Sequence, residues 1–357
     1  LTNAIPEIKV ISKIKKVTDT NPLVKDVVCL IGCFEDTETL TPTFCESLQA
    51  AEEIFGDDDD YDGNAALKQI FRKNISGVLI VNCTSTTGSG ADVTVNRTLT
   101  QAKIEAALAL VKLIDFDILY CAVELTDGMI DKIAAFCEDR FEEKRPCGYI
   151  GAGTRANASA YTTTSGKLGD SCYAYLTQTV TLGDSETALS LMEAGAYLTN
   201  VIATLPVGNS LTAKVLEEVS DIGTTYTFAS GDLGEHLVEK GFFVLRLVNA
   251  LDNSYEIVNS ANANGLDLYI SRVRDYIVND FALREYLGER NNTITMDLIG
   301  LECARIYAKF VDELALVEDI GYVIEKASPS KVNVIINELT FAGVITEIDV
   351  YITIEVE

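Results

Sequence analysis

Four short, almost wholly apolar runs, Val27–Phe34, Val78–Asn82, Phe116–Val123 and Cys147–Ala152, recur along the first half of the chain, each parted from the next by enough residues for a helix. A run that is apolar at nearly every position has no face to turn to water, so as a strand it must be covered on both sides. The intervening stretches supply the covers. Helices are expected around Cys45–Phe55 and Asn64–Lys73, over Thr100–Ile114 and over Asp127–Glu143, and in the third Ile104, Leu108, Val111 and Ile114 form one stripe. Strand and helix in alternation predict an α/β fold, a mostly parallel sheet with crossover helices.

The second half changes character. Residues 153–183 are rich in Thr, Ser, Gly and Tyr and read as loops and irregular strands. A helix is expected over Ser185–Thr204, stopped before Pro206, and a buried strand over Phe242–Val248. Two long helices follow near Leu266–Leu287 and Thr295–Ile320, the second with Ile299, Cys303, Ile306, Phe310, Leu314 and Val317 on one stripe. A strand is expected at Val332–Leu339. The whole is therefore α+β, with an α/β half first. Strand-like arms stand at both termini. Ile8, Val10 and Ile14 share one parity with Ser12, while Lys9, Lys13 and Lys15 lie on the other, ahead of a break at Thr18–Pro22. At the far end Ile348, Val350, Ile352, Ile354 and Val356 alternate with Glu347, Asp349, Tyr351, Thr353 and Glu355.

Charge excludes some partners. The 357 residues carry a net charge of −26, which argues against nucleic acid or an anionic membrane surface, because phosphate contacts need clustered Lys and Arg. No apolar run approaches the ~18–20 residues of a membrane span. Nine cysteines, an odd number, with no basic-then-apolar leader pattern at the start, suggest reduced thiols rather than a disulfide framework. Cys29, Cys33 and Cys45 lack the paired spacing of a zinc site.

The motifs that could carry chemistry fall short. A single histidine, His236, excludes a multi-histidine metal site. It sits in a short helical stretch with Asp232 as N-cap, Glu235 in the capping-box position and Gly241 as the stop. Asp58-Asp-Asp60-Tyr-Asp62-Gly63 opens like a calcium loop, but position twelve is Gln69, which has no bidentate carboxylate to offer, so a solvated acidic loop is expected. Gly151-Ala-Gly153 follows a strand without completing a dinucleotide fingerprint, and Gly88-Ser-Gly90 lacks the Lys-Ser/Thr of a phosphate loop. No catalytic residue, cofactor or metal is expected. A competing α/β enzyme or ligand-binding protein would need titratable groups gathered in a pocket.

Several stretches, in order, resemble contractile tail sheath proteins of phages and phage-tail-like bacteriocins. These are Val27–Phe34 with Phe44–Gly56, Ser76–Asn82, and Asp115–Leu119 with Phe136–Arg140. Further along they are Ala194–Pro206, Asn209-Ser-Leu-Thr-Ala-Lys-Val215 and Lys240–Arg246, then Arg272-Val-Arg-Asp275 and Tyr286–Asn292. The resemblance, to the Gram-positive-type group, spans residues 24–357. Where many relatives carry an extra β-rich domain, Thr84–Leu99 reads here as only a loop.

The resemblance implies a structural, non-enzymatic subunit. Copies would polymerise as a helical array, in stacked hexameric rings, around a tail tube and contract to drive it through a cell envelope. The implied partners are further copies, the tube protein, and baseplate and terminator proteins; the implied place is a virion tail or phage-tail-like particle assembled in the host cytoplasm. The corresponding divisions are an N-terminal linker arm at 1–22, an α/β sheath domain at 23–183, a C-terminal sheath domain at 184–336 and a β arm at 337–357. The arms, with Ile8, Lys9, Val10, Lys13, Ile14 and Lys15 at one end and Ile348, Val350, Ile352 and Ile354 at the other, would join neighbouring subunits. Arg272, Arg274, Arg284, Arg290, Arg305 and Lys309 are the candidates to face the tube.

Overall fold

The computed structural model describes residues 26–35, 40–87, 94–183, 185, 187–249, 253–280, 293–313, 322–328 and 331–336. Both terminal arms, Arg284 and Arg290 lie outside them. The apolar runs become strands β1 (Val28–Gly32), β3 (Val78–Asn82), β6 (Ile118–Cys121) and β7 (Gly148–Ala152), every residue of which is buried. Two further strands complete the sheet. β2 (Thr43–Cys45) pairs antiparallel with β3 at one edge, and β8 (Cys172–Leu176) pairs parallel with β7 at the other. The six-stranded order is β2-β3-β1-β6-β7-β8. The five parallel strands alone, renumbered along the chain, run 2-1-3-4-5, a doubly wound arrangement.

Period-two alternation splits the side chains between two cores. Val28, Leu30, Val78, Ile80, Ile118, Tyr120 and Ile150 face one side. Cys29, Ile31, Leu79, Val81, Leu119, Cys121 and Tyr149 face the other. The first face is covered by α1 (Leu48–Phe55), α2 (Asp62–Ile70) and α6 (Leu191–Thr204). Ser190 and Glu193 form a capping box that starts α6, so this helix begins six residues later than the expected Ser185. The Gly/Ala run of α6 lets it lie flush on the sheet. A Cβ at Gly195 would stand 2.9 Å from that of Ala152. Asn200 then donates to Ile70 O (2.6 Å) and Lys73 O (3.2 Å), satisfying carbonyls where α2 ends.

The second face carries α3 (Gln101–Val111), α4 (Asp127–Glu142), α5 (Ala158–Leu168) and α7 (Leu233–Glu239). Thr100 caps α3 and Thr126 caps α4. The other end of α3 is closed from a distance. Buried Arg140 donates to Val111 O (3.1 Å), Lys112 O (2.8 Å) and Ile114 O (2.9 Å), with Phe116 beneath its guanidinium. A cation placed on orphan carbonyls offsets the negative end of the helix dipole.

Several expectations need correction. Residues 153–183, expected as loops and irregular strands, hold the strands β8 and β9 (Val180–Leu182) but also a helix, α5. Thr84–Leu99 is more than a loop, since β4 (Ser85–Thr87) and β5 (Thr94–Asn96) pair as an antiparallel hairpin. Cys45 ends strand β2, and α1 starts only after the Ser47 cap. In α7, Asp232 accepts from Ala229 N and Glu235 from Gly231 N, in place of the expected capping box.

Beyond the sheet, β9 pairs with β10 (Val219–Ile222), and β11 (Leu245–Asn249) with β12 (Ser254–Ile257). The apolar run expected from Phe242 enters beside β8, where Phe243 bridges Leu176, and β11 starts three residues later than predicted. The two long helices are α8 (Leu268–Asp280) and α9 (Thr293–Glu313), followed by the hairpin of β13 (Tyr322–Ser328) and β14 (Lys331–Ile336).

Candidate functional site

In a doubly wound sheet, ligands bind outside the carboxyl ends of the strands where the order reverses, here between β1 and β6. That crevice is filled by the chain itself. Gly63 N donates to Cys33 O (2.9 Å), and a Cβ at Gly63 would lie 2.5 Å from that oxygen and 2.9 Å from the Phe34 ring. Phe34 packs on Phe55, and its backbone N–H donates to Asn82 Oδ1 and Thr84 Oγ1. Gly63 is the residue that lets α2 start against the end of β1. The place where this architecture would take a nucleotide is packed protein.

The other chemically suggestive stretches are also engaged. Lys68 forms an ion pair with Asp59 (2.7 Å), Asp58 accepts from Asp60 N, and Asn64 donates to Phe55 O (3.2 Å). The acidic run is thus folded by a lysine and by backbone groups. Beyond Gly151 and Gly153, the Arg155 guanidinium spends its donors on Asp127, Thr164, Thr154 O, Leu125 O and Tyr175 Oη. His236 Nε2 lies 3.1 Å from both Thr162 Oγ1 and Ala158 O, on the rim of an open groove between α5 and α7. Gly88 and Gly90 lie outside the described residues. Among the described residues no group of three or more His, Cys, Asp and Glu side chains converges as a metal site, and no helix is long and apolar enough to cross a membrane.

Two of the stretches that carry the resemblance meet instead at α8. In Asn209-Ser-Leu-Thr, the Ser210 and Thr212 hydroxyls donate to Asp267 Oδ2 at 2.8 and 3.1 Å, and Ser260 Oγ adds a third bond at 2.9 Å. Asp267 Oδ1 accepts from Tyr269 N, capping the first turn of α8. In Arg272-Val-Arg-Asp275, Arg272 is fully buried and pairs with buried Asp26 (2.8 Å). Tyr276 Oη donates to the other oxygen of Asp26. Arg274 Nε bonds Asp275 Oδ1 (2.8 Å) while Tyr173 Oη, at the head of β8, donates to Asp275 Oδ2 (2.9 Å). Next to Asp26, Val27 N donates to Asp117 Oδ2 (2.9 Å), and Asp26 N to Ala203 O. The point where residues 1–25 join the body is therefore pinned to α8, α6 and the amino-terminal ends of the strands at once.

Electrostatics matches this geometry. Burial pushes the Asp275 carboxyl up, against the pull of Arg274 and Tyr173. Burial works against the Arg272 cation, yet Asp26, Tyr276 and Tyr173 outweigh it and hold the guanidinium more firmly protonated than usual. Among the described residues its Nε and Nη1 have no hydrogen-bond partner.

The described basic residues expected to face a tube differ in exposure. Arg272 is a correction: with none of its side chain exposed, it cannot meet a second protein. Arg274 is half-buried, over the Phe141 ring. Arg305 is two-thirds exposed and paired with Glu302, and Lys309 lies on α9 with it.

The sequence matches no protein-family model and no curated protein. Its architecture does match solved structures. The sheath tail protein of Desulfitobacterium hafniense superposes with a TM-score of 0.66 at 14% identity, over 88% of this chain and 96% of that one. The sheath tail protein of Listeria innocua gives 0.63 at 13%, over 84% and 89%. The helical sheath of the anti-feeding prophage in its contracted state gives 0.61 at 14%, over 94% and 93%. The chain has the fold of contractile tail sheath proteins.

Proposed function

We propose that this chain is the structural subunit of a contractile tail sheath, a protein without catalytic activity or a resident cofactor. The observation that carries the reading is the extent of the fold likeness: it takes in 88% of this chain and 96% of a sheath tail protein, so both the sheet half and the α8–β14 half are included. Copies would stack as rings into a helical array around a tail tube, seated on a baseplate and closed by a terminator, in a particle assembled in the host cytoplasm. Contraction would drive the tube through an envelope.

The terminal arms would be the links. The N-terminal strand carries Lys9, Lys13 and Lys15, and the C-terminal one Glu347, Asp349, Glu355 and Glu357. Opposite charges across paired strands contribute ~0.2–1 kcal/mol each and select unlike partners, so the basic arm of one subunit would add to the acidic arm of another by β-augmentation. Arg305, with Lys309 on the same helix, is the described candidate to face an acidic partner such as the tube. Electron microscopy of the purified full chain tests the reading. Tubes or stacked rings are expected, with assembly sensitive to ionic strength: subunits of charge −26 repel over a Debye length of ~10 Å at 0.1 M, so lowering the salt should weaken them. A chain that stays monomeric across salt and concentration would count against it.

A further inference from the structure

Helix α3 is apolar on two opposite sides. Its inner side, Ile104, Ala107, Leu108 and Val111, is buried on the sheet. Around the helix from these stand Ala102, Ala106, Ala109, Leu110 and, in the turn that follows, Leu113, all exposed, with Leu110 at 42% and Leu113 at 41%. At 100° per residue these five fall within a stripe about 100° wide, facing away from the sheet. An ordinary surface helix is polar on that side; one apolar all round is normally covered on both.

The charges beside the stripe say what could cover it. In a chain of net charge −26, most surfaces would repel a second copy. Here four neighbouring carboxylates, Glu105, Asp115, Asp139 and Glu143, stand among four cations, Lys103, Lys112, Lys132 and Arg145. Glu105 pairs with Lys132 (3.4 Å), Glu143 and Asp139 with Lys112 (2.9 and 3.9 Å), and Asp115 with Arg145 (2.5 Å). Lys103, on the other flank, bonds the Asn96 and Thr98 carbonyls. A basic partner would be drawn to the acidic remainder of the surface and would find no excess charge at α3. A like-charged copy meets little repulsion there.

We infer that the outer face of α3 is a contact surface between subunits, covered by a different surface of a second copy of this chain. The inference rests on the sheath reading, and it adds a body-to-body contact to the arm linkage. A helical array needs heterologous contacts, in which one patch meets a different one; a stripe on one helix, met by another part of the neighbour, satisfies that.

The nine native cysteines are all buried, so a thiol placed on the stripe can be labelled selectively. Ala106→Cys, in the full chain, is treated with a maleimide before and after tube formation. Labelling at least tenfold slower in tubes is expected, and equal rates would overturn the proposal. Protection that appears only when tail tube protein is added would overturn it too, because the occupant would then be the tube. The second variant, Leu110→Glu with Leu113→Glu, should melt within about 2 °C of the wild type and lose tubes at least tenfold at equal concentration. If it assembles like the wild type the contact is refuted while the sheath reading stands. If the wild-type chain itself never assembles, both fall together.

Discussion

The central sheet and the α8 junction are held together by opposite chemistry. β1, β3 and β6 meet their helices mainly through Val, Leu, Ile and Cys side chains whose only demand is volume, Tyr120 with its bond to Met192 O on α6 being an exception. α8 meets the sheet through Asp26, Arg272, Tyr276, Asp275 and Tyr173, each of which needs a particular partner. Apolar packing tolerates exchange of one side chain for another of similar size. A buried ion pair fixes one arrangement and fails sharply when one member is removed. In a protein read as a sheath subunit, the tolerant chemistry builds the body and the exacting chemistry stands where the N-terminal arm would pull on it.

The largest effect that would separate the two regions comes from alkali. Burial raises the thiols of Cys29, Cys83, Cys121 and Cys172 on the sheet, Cys83 and Cys172 to about 12. An unfolded thiol ionises near ~8.5. Between those values the native state holds more protons than the unfolded one, so stability falls as pH rises. It is intact below ~8.5 and is lost progressively toward 12, at up to ~1.36 kcal/mol per pH unit for each thiol. Several kcal/mol should go between pH 8 and pH 10, read as a falling melting temperature in scanning fluorimetry. Exchanging Cys83 and Cys172 for Ala should flatten that slope, and a slope that stays unchanged would mean the sheet is not where alkali acts.

At the junction the corresponding test is Arg272→Ala. It strands the Asp26 carboxylate, which among the described residues keeps only Tyr276, and should cost about 3–5 kcal/mol in urea unfolding. The pair exchanged together, Asp26→Leu with Arg272→Met, should recover most of that loss, because two buried charges are removed at once. If the double variant is no better than the single one, the junction depends on shape and not on charge pairing.

The same contrast sets what could be read from sequence. β1, β3, β6 and β7 were legible because a strand covered on both faces is apolar at every step. β8 is legible only as one of the irregular strands of a Thr- and Ser-rich stretch; the Tyr173 and Tyr175 hydroxyls find partners that sequence does not reveal, in Asp275 and Leu125 O. α5 hid behind Thr and Ser of low helix propensity, although the signal was present: Asn157 as cap, then Tyr161, Thr164, Ser165 and Leu168 on one buried face. At the junction Arg272 and Arg274 stand out in the sequence, but their partners do not. Arg272 reads as a surface cation because its partner lies 246 residues away, and only the fold brings them together. The outer stripe of α3 is legible in Ala102, Ala106, Ala109, Leu110 and Leu113, opposite the inner one.

The smallest predicted effect tests how exacting the junction is at its rim. Ser210 Oγ bonds Asp267 Oδ2 and also stands 3.0 Å from Ser260 Oγ. Ser210→Ala removes one of three hydroxyls on that oxygen and leaves Thr212, Ser260 and the Tyr269 amide in place, so Asp267 is not orphaned. A bond lost from a carboxylate that keeps its other donors should cost about 0.5–1.5 kcal/mol, and α8 should stay capped. Asp267→Ala removes the acceptor common to all of them and should cost more, since three buried or half-buried hydroxyls lose their partner along with the helix cap. Urea midpoints for the two variants decide the point. Equal losses would mean that the Ser-Leu-Thr stretch and α8 fold as one indivisible unit; a cost confined to Asp267 would make the hydroxyls replaceable and the cap alone the reason for the motif.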